Sequence, residues 1–156
     1  MAMNFKEALS VKINDIEKPP LLPSGTYEAI IKKVPTMEET TDKKWEMLDF
    51  PCQLVAATEE VSADELAAYG GLDARSQLRR RFMFNTEDDN AFKRTLFDVK
   101  RFCLEHLMVE GDDNTDLKQL LDGSVGKRFY AFVRHNPDKR DPEVIYAEIS
   151  KTSPIV

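Results

Sequence analysis

The chain has 156 residues, 42% apolar and 32% charged, with a net charge of −6 at pH 7. That length suits one domain with a real core better than two, and the composition is that of an ordinary soluble protein. No apolar run approaches the ~20 residues that span a bilayer, and the N-terminus lacks a signal-peptide stretch, so a cytoplasmic protein is expected.

Residues 1–22 read as a leader. Phe5, Leu9, Val11, Ile13 and Ile16 offer apolar contacts, but Lys18-Pro19-Pro20 and Pro23 prevent a continuing helix. Leu22-Pro23-Ser24-Gly25 then turns into a β-prone run at 26–34, which Pro35 ends. The polar stretch 36–43 is expected as a loop. A second strand follows at 44–56, where Leu48, Phe50, Cys52 and Leu54 alternate with Trp45, Met47, Asp49 and Gln53. Pro51 inside it suggests an edge position or a bulge. Residues 57–77 read as an insertion, with a short helix opened by the capping box Ser62-Ala63-Asp64-Glu65 and ended by Gly70-Gly71.

The third strand, 78–84, sets Leu78, Phe82 and Phe84 against Arg79, Arg81 and Met83. Arg80 then falls on the apolar side, which a position at a barrel rim would explain. Phe92, Leu96, Val99, Cys103 and Leu107 carry the three-four spacing of a helix over 91–108. A second short helix through Leu117, Leu120 and Leu121 ends at Gly123. The fourth strand, 127–134, is basic and aromatic, and a loop at 135–142 leads to the fifth, 143–150, with Ile145, Ala147 and Ile149 as its apolar face.

This order predicts a mainly β, α+β fold: a five-stranded OB-type barrel in a single domain. A long helix joins its third and fourth strands, and a helical insertion separates its second and third. Barrels of this plan often bind oligonucleotides on the second and third strands, framed by the loops between strands one and two and between strands four and five. On that plan Lys43, Lys44 and Trp45 belong to the first loop, Arg79 and Arg81 to the third strand, and Lys139 and Arg140 to the second loop. Arg128, Tyr130, Phe132 and Arg134 share one face of the fourth strand, opposite Phe129, Ala131 and Val133. Both faces are apolar, so periodicity leaves open which one points outward. Trp45 reads equally as a core residue, and Arg79 and Arg81 as solvated charges.

Cations interleaved with aromatics suit single-stranded nucleic acid, through base stacking and phosphate neutralisation. The net charge opposes this, but its distribution does not. Residues 35–73 hold ten acidic side chains against two lysines, whereas 75–101 hold eight basic against four acidic and 127–151 six against four. Local potential along a groove governs binding more than the whole-chain sum. No catalytic constellation emerges. His106 and His135 lack spaced partners, Gly123-Ser124-Val125-Gly126-Lys127 precedes a strand rather than a helix, and Cys52 and Cys103 have no metal-ligand spacing. The cysteines are expected to be reduced and buried, and a non-enzymatic protein without metal is expected. The alternative is a small β-barrel adaptor or phage accessory protein that binds another protein.

Leu22-Pro23-Ser24-Gly25-Thr26-Tyr27, the second strand with Leu48, and Leu120-Leu121-Asp122-Gly123-Ser124-Val125-Gly126-Lys127-Arg128-Phe129 resemble the small single-stranded DNA-binding proteins of tailed bacteriophages. The resemblance covers most of 22–150. It implies an OB fold, protection of single-stranded DNA in phage replication or recombination in the host cytoplasm, no cofactor, and replication or recombination proteins as further partners. Self-association, footprint and DNA-versus-RNA preference stay open. Many such proteins end in an acidic tail, whereas this chain ends Ser150-Lys151-Thr152-Ser153-Pro154-Ile155-Val156. The acidic stretch between Glu38 and Glu65 is then the other recruitment candidate.

Overall fold

The computed structural model describes residues 4–16, 18–73 and 76–155. Arg75, counted above among the basic residues, lies outside the described residues, as do Met1–Met3 and Glu17 of the leader and Val156. Among the described residues the fold is mixed α/β: an antiparallel sheet of six strands, not closed into a barrel, with four α-helices. The strands are β1 (Gly25–Ile31), β2 (Thr36–Glu39), β3 (Trp45–Ala57), β4 (Gln77–Asn85), β5 (Arg128–Pro137) and β6 (Ile145–Ser153). The helices are α1 (Phe5–Ala8), α2 (Ala63–Tyr69), α3 (Asp89–Arg101) and α4 (Leu117–Gly123). The sheet runs β2-β3-β1-β5-β6, with β4 on β3.

Several boundaries differ from the expected ones. Thr36–Glu39 is a strand, not a loop. It pairs with Asp49–Glu46 of β3 but buries no side chain, so nothing in its pattern announces it. The first strand stops at Ile31, and Lys32 N donates to Pro51 O (2.9 Å). Pro51 is neither at an edge nor in a bulge. It pairs in register with Arg79 and faces the break between β1, whose ladder ends at Cys52, and β2, whose ladder begins at Asp49. A central strand tolerates a proline where one neighbour is interrupted. The fourth strand continues through Pro137 and the fifth runs from Ile145 to Ser153, which leaves 138–144 as their loop.

The core lies between the sheet and α3. Leu48, Phe50, Cys52 and Leu54 of β3 point inward, as do Phe129, Ala131 and Val133 of β5. The long helix is α-helical only to Arg101. It closes in a π-helical turn, Phe102–His106, where Leu107 N donates to Phe102 O (2.9 Å). This turn seats Phe102 at the centre of a ring cluster, with centroids 5.0 Å from Phe50, 5.6 Å from Phe82 and 5.4 Å from Phe129. His106 Nδ1 is hydrogen-bonded to Thr152 Oγ1 (2.7 Å), tying the turn to β6.

Tyr27 is fully buried and donates to Pro23 O (2.6 Å), and burial pushes its hydroxyl up to about 12. Cys52 and Cys103 are free and buried, and burial likewise pushes both thiols up to about 12. In the insertion, Ser62 Oγ accepts from Glu65 N (3.3 Å) at the start of α2, and Gly70 ends the helix at φ 108°. The loop 58–61 packs on the start of β1. There Gly25 takes φ 136°, and a Cβ would stand 2.8 Å from Val61 Cγ2.

Candidate nucleic-acid interface

The register of β3 on β4 builds the outer face. Pro51 pairs with Arg79, Asp49 with Arg81 and Met47 with Met83, while the alternate residues point into the core. Asp49 is 3% exposed although it lies on the outer face with half-buried Met47 and Pro51. Its carboxylate is covered by arginines: Arg81 Nε donates to Oδ1 (2.7 Å), Arg81 Nη2 to Oδ2 (3.1 Å), and Arg79 Nη1 reaches Oδ2 at 3.5 Å. The side chains of Arg79 and Arg81 stay 62% and 42% exposed. The hydrogen bond to Asp49 holds the Arg81 guanidinium above its ordinary range despite some burial. The result is one buried anion holding two exposed cations, with Glu38 and Glu148 also close enough to act on Arg81.

Apolar surface adjoins this triad. Met83 is exposed on β4, and Tyr146 and Glu148 of β6 line a cleft with Arg79, Arg81 and Met83. Tyr146 Oη donates to Asp138 Oδ2 (3.0 Å). The Asp138 carboxylate also accepts from Arg140 N (2.7 Å) and Asp141 N (3.3 Å), and these bonds, the Arg140 N–H foremost, hold it below the usual carboxylate range. They shape the loop that carries Lys139 and Arg140, both exposed. On the other side, Lys43 and Lys44 form the turn between β2 and β3. Trp45 N donates to Asp42 O (3.0 Å), and Lys44 Nζ lies 5.8 Å from the half-buried Trp45 ring. An adjoining cleft, where β1 stops, brings Lys32 and Lys33 towards Arg79 and Glu38.

The β5 residues form a separate group. Phe129, Ala131 and Val133 have no exposed surface, so Tyr130 and Phe132 lie on the outer face. They pair there with Glu28 and Thr26 of β1. Lys151 Nζ sits 5.0 Å from the Phe132 ring centroid. Arg128 is engaged, its Nη1 donating to Glu28 Oε1 (2.9 Å). Arg134 is exposed opposite Glu148. The sheet order places β3 and β1 between this group and β4 on one side and β6 on the other. The expected residues therefore form two patches, Lys43, Lys44, Trp45, Arg79 and Arg81 on β3–β4 and Arg128, Tyr130, Phe132 and Arg134 on β5, with Lys139 and Arg140 on the loop between β5 and β6.

Arg80 is partly buried and lines the cleft with Arg79 and Arg81. Its guanidinium lies 4.4 Å from the Phe82 ring centroid and 5.7 Å from Phe102, with Nε lacking a hydrogen-bond partner. Burial lowers its pKa. Sequence reasoning missed Asp49 as the clamp and Tyr146 as a wall of the cleft. Strand alternation places both side chains outward, and only the pairing of β3 with β4 reveals what Asp49 holds.

Among the described residues, no group of three or more His, Cys, Asp or Glu side chains is arranged to hold a metal ion. Within the same residues, no helix is long and apolar enough to cross a membrane. No protein-family model and no curated protein matches the chain.

Proposed function

We propose that this protein binds single-stranded DNA without catalysing a reaction, on the face of β3 and β4, and protects it during phage replication or recombination. One observation carries the reading: buried Asp49 fixes the exposed guanidinium groups of Arg79 and Arg81 beside Met83 and Tyr146. Fixed guanidinium edges suit phosphate oxygens, because fewer side-chain rotamers are lost on binding. The adjacent Tyr146 ring gives a base a surface for stacking, each stack contributing about 1–3 kcal/mol.

The strand order supports an OB-type assignment. If β2 is taken as the continuation of β1, the path β4-β3-β1-β5-β6 with a helix between β4 and β5 is that of an OB barrel left open between β4 and β6. The face of β3 and β4, framed by the turn at Lys43 and the loop at Lys139, is then the expected binding surface. Binding of this kind is largely indifferent to sequence and weakened by salt.

Fluorescence anisotropy with labelled dT oligomers at low and high salt tests the proposal. Binding at low salt that weakens as salt rises is the expected result. No binding at low salt, together with a stable protein partner in a pull-down, would move the chain to the adaptor reading.

A further inference from the structure

The cleft beside the Asp49 clamp is lined by consecutive residues of both its strands, 77–81 of β4 and 146–149 of β6. Strand alternation sends Arg79, Arg81 and Tyr146 outward and Leu78, Arg80, Ala147 and Ile149 inward, so a surface groove would show one set alone. Both sets line this cleft because no ladder joins β4 to β6, and it runs between the strands as a slot toward the core. Leu78, Ala147 and Ile149 pack on the core at its inner end. The Arg80 guanidinium stands there too, held over the Phe82 ring. A ring face attracts a cation without satisfying the N–H groups along its edges. Among the described residues the guanidinium makes one hydrogen bond, from Nη1 to Arg81 O at 3.5 Å, and Nε is buried without one. Nor does a carboxylate among those residues form an ion pair with it. Asp49 is taken by Arg79 and Arg81, Glu148 accepts from Asn136 Nδ2 (2.7 Å), and exposed Asp98 of α3 acts on Arg80 only from a distance. An arginine stays protonated in proteins, and a partly buried cation without an anion is costly.

We propose that Arg80 binds a phosphate oxyanion at the inner end of this slot. The identity of the ligand rests on the DNA-binding reading: the oxyanion is a backbone phosphate of the strand on β3 and β4, lowered between β4 and β6 while its neighbours stay with Arg79 and Arg81. A guanidinium offers parallel N–H donors that match phosphate oxygens. The cleft measures about 590 Å³, within the range of small-molecule sites. An anion enters past the exposed cations Arg79 and Arg81, while the carboxylate between them is buried. Glu148 is the carboxylate that lines the cleft, and its hydrogen bond with Asn136 ties it to β5. Arg80 thereby adds a phosphate contact inside the wall to those on its surface.

Two measurements on the full-length protein test this. Arg80→Met keeps an unbranched side chain over Phe82 and removes the charge, whereas Arg80→Lys keeps the charge and loses the fork. Circular dichroism confirms that each variant is folded, and if Arg80→Met is not, Arg80→Lys carries the comparison with a smaller phosphate effect expected. The first measurement compares melting curves in inorganic phosphate and in chloride at matched ionic strength. Phosphate favours the folded state of any protein to some extent, so the readout is the difference between chains. Wild-type Tm is expected to rise further than that of Arg80→Met, as a ligand of the folded state requires. The second is anisotropy with dT oligomers, where the slope of log K against log salt is expected to be shallower by about 0.7 in Arg80→Met. The site is overturned if phosphate raises both melts equally. A wild-type slope retained in folded Arg80→Met overturns the strand's phosphate as its ligand. If wild type binds no oligomer while phosphate still stabilises it more than Arg80→Met, the DNA-binding reading falls and the site stands with free phosphate, so the two failures are told apart.

Discussion

Replacing Arg79 and Arg81 together by alanine removes both exposed cations that Asp49 holds on the β3–β4 face. If each contacts one phosphate, the slope of log K against log salt becomes shallower by about 1.4, at about 0.7 per phosphate for a single strand. Screening at these half-exposed guanidinium groups limits the loss to about 2 kcal/mol for the pair, or about thirtyfold in Kd. The variant also strips a buried carboxylate of its donors, which costs about 1–3 kcal/mol of stability, so a melting curve must show it folded at the assay temperature. Asp49→Asn gives a second control. It loosens the clamp that fixes both guanidinium groups while keeping the number of cations, so affinity should fall with the salt slope little changed. Anisotropy titrations with labelled dT oligomers at several salt concentrations read both quantities. A folded double variant with unchanged affinity and slope would refute the placement of the interface on β3 and β4.

Phe102→Ala removes the centre of the ring cluster and should cost about 3–5 kcal/mol in urea denaturation; a loss under about 1 kcal/mol would show that the π-helical turn is not seated by this ring. Gly25→Ala places a Cβ against Val61 and Glu60 at a backbone angle that favours glycine, so a loss of about 1–3 kcal/mol is expected in thermal melts, and an unchanged melt would contradict the close approach. Burial, with Arg101 and Arg80 nearby, holds the His106 imidazole below its ordinary 6.5. The unfolded chain therefore takes up the proton first, and the stability this histidine contributes is lost as pH falls below about 6.5. Tm measured against pH should show a shallower acid limb in His106→Gln than in wild type, and identical limbs would exclude His106 as the source.

The strand and helix plan was readable wherever one face is buried. Leu48, Phe50, Cys52 and Leu54 alternate because every second side chain enters the core, and Val99, Cys103 and Leu107 repeat at a helical spacing for the same reason. Thr36–Glu39 escaped because backbone pairing alone makes it a strand. The π-helical turn escaped because it inserts Phe102 beside a pattern that already reads as α-helix. On β5, apolar side chains occur on both faces, and the fully buried Phe129, Ala131 and Val133 settle what periodicity could not. Arg79 and Arg81 were legible as an outward pair. The role of Asp49 was not, since its partners lie 30 and 32 residues away and meet it only through the register of β3 on β4. The split between the β4 and β5 groups follows from the order of strands in the sheet, which alternation does not encode.

The seam between β4 and β6 has a mechanical consequence. These strands lie beside each other without a hydrogen-bonded ladder, while every other neighbouring pair along the sheet is zipped. Opening the wall there breaks no ladder, so this is its softest line, and the amides of β4 that face it should exchange with solvent sooner than those facing β3. Arg81 stands on one lip and Tyr146 on the other. A ligand spanning both would act as a stitch, turning a compliant wall into a stiff one, and its arrival would register as slowed amide exchange along β4 and β6.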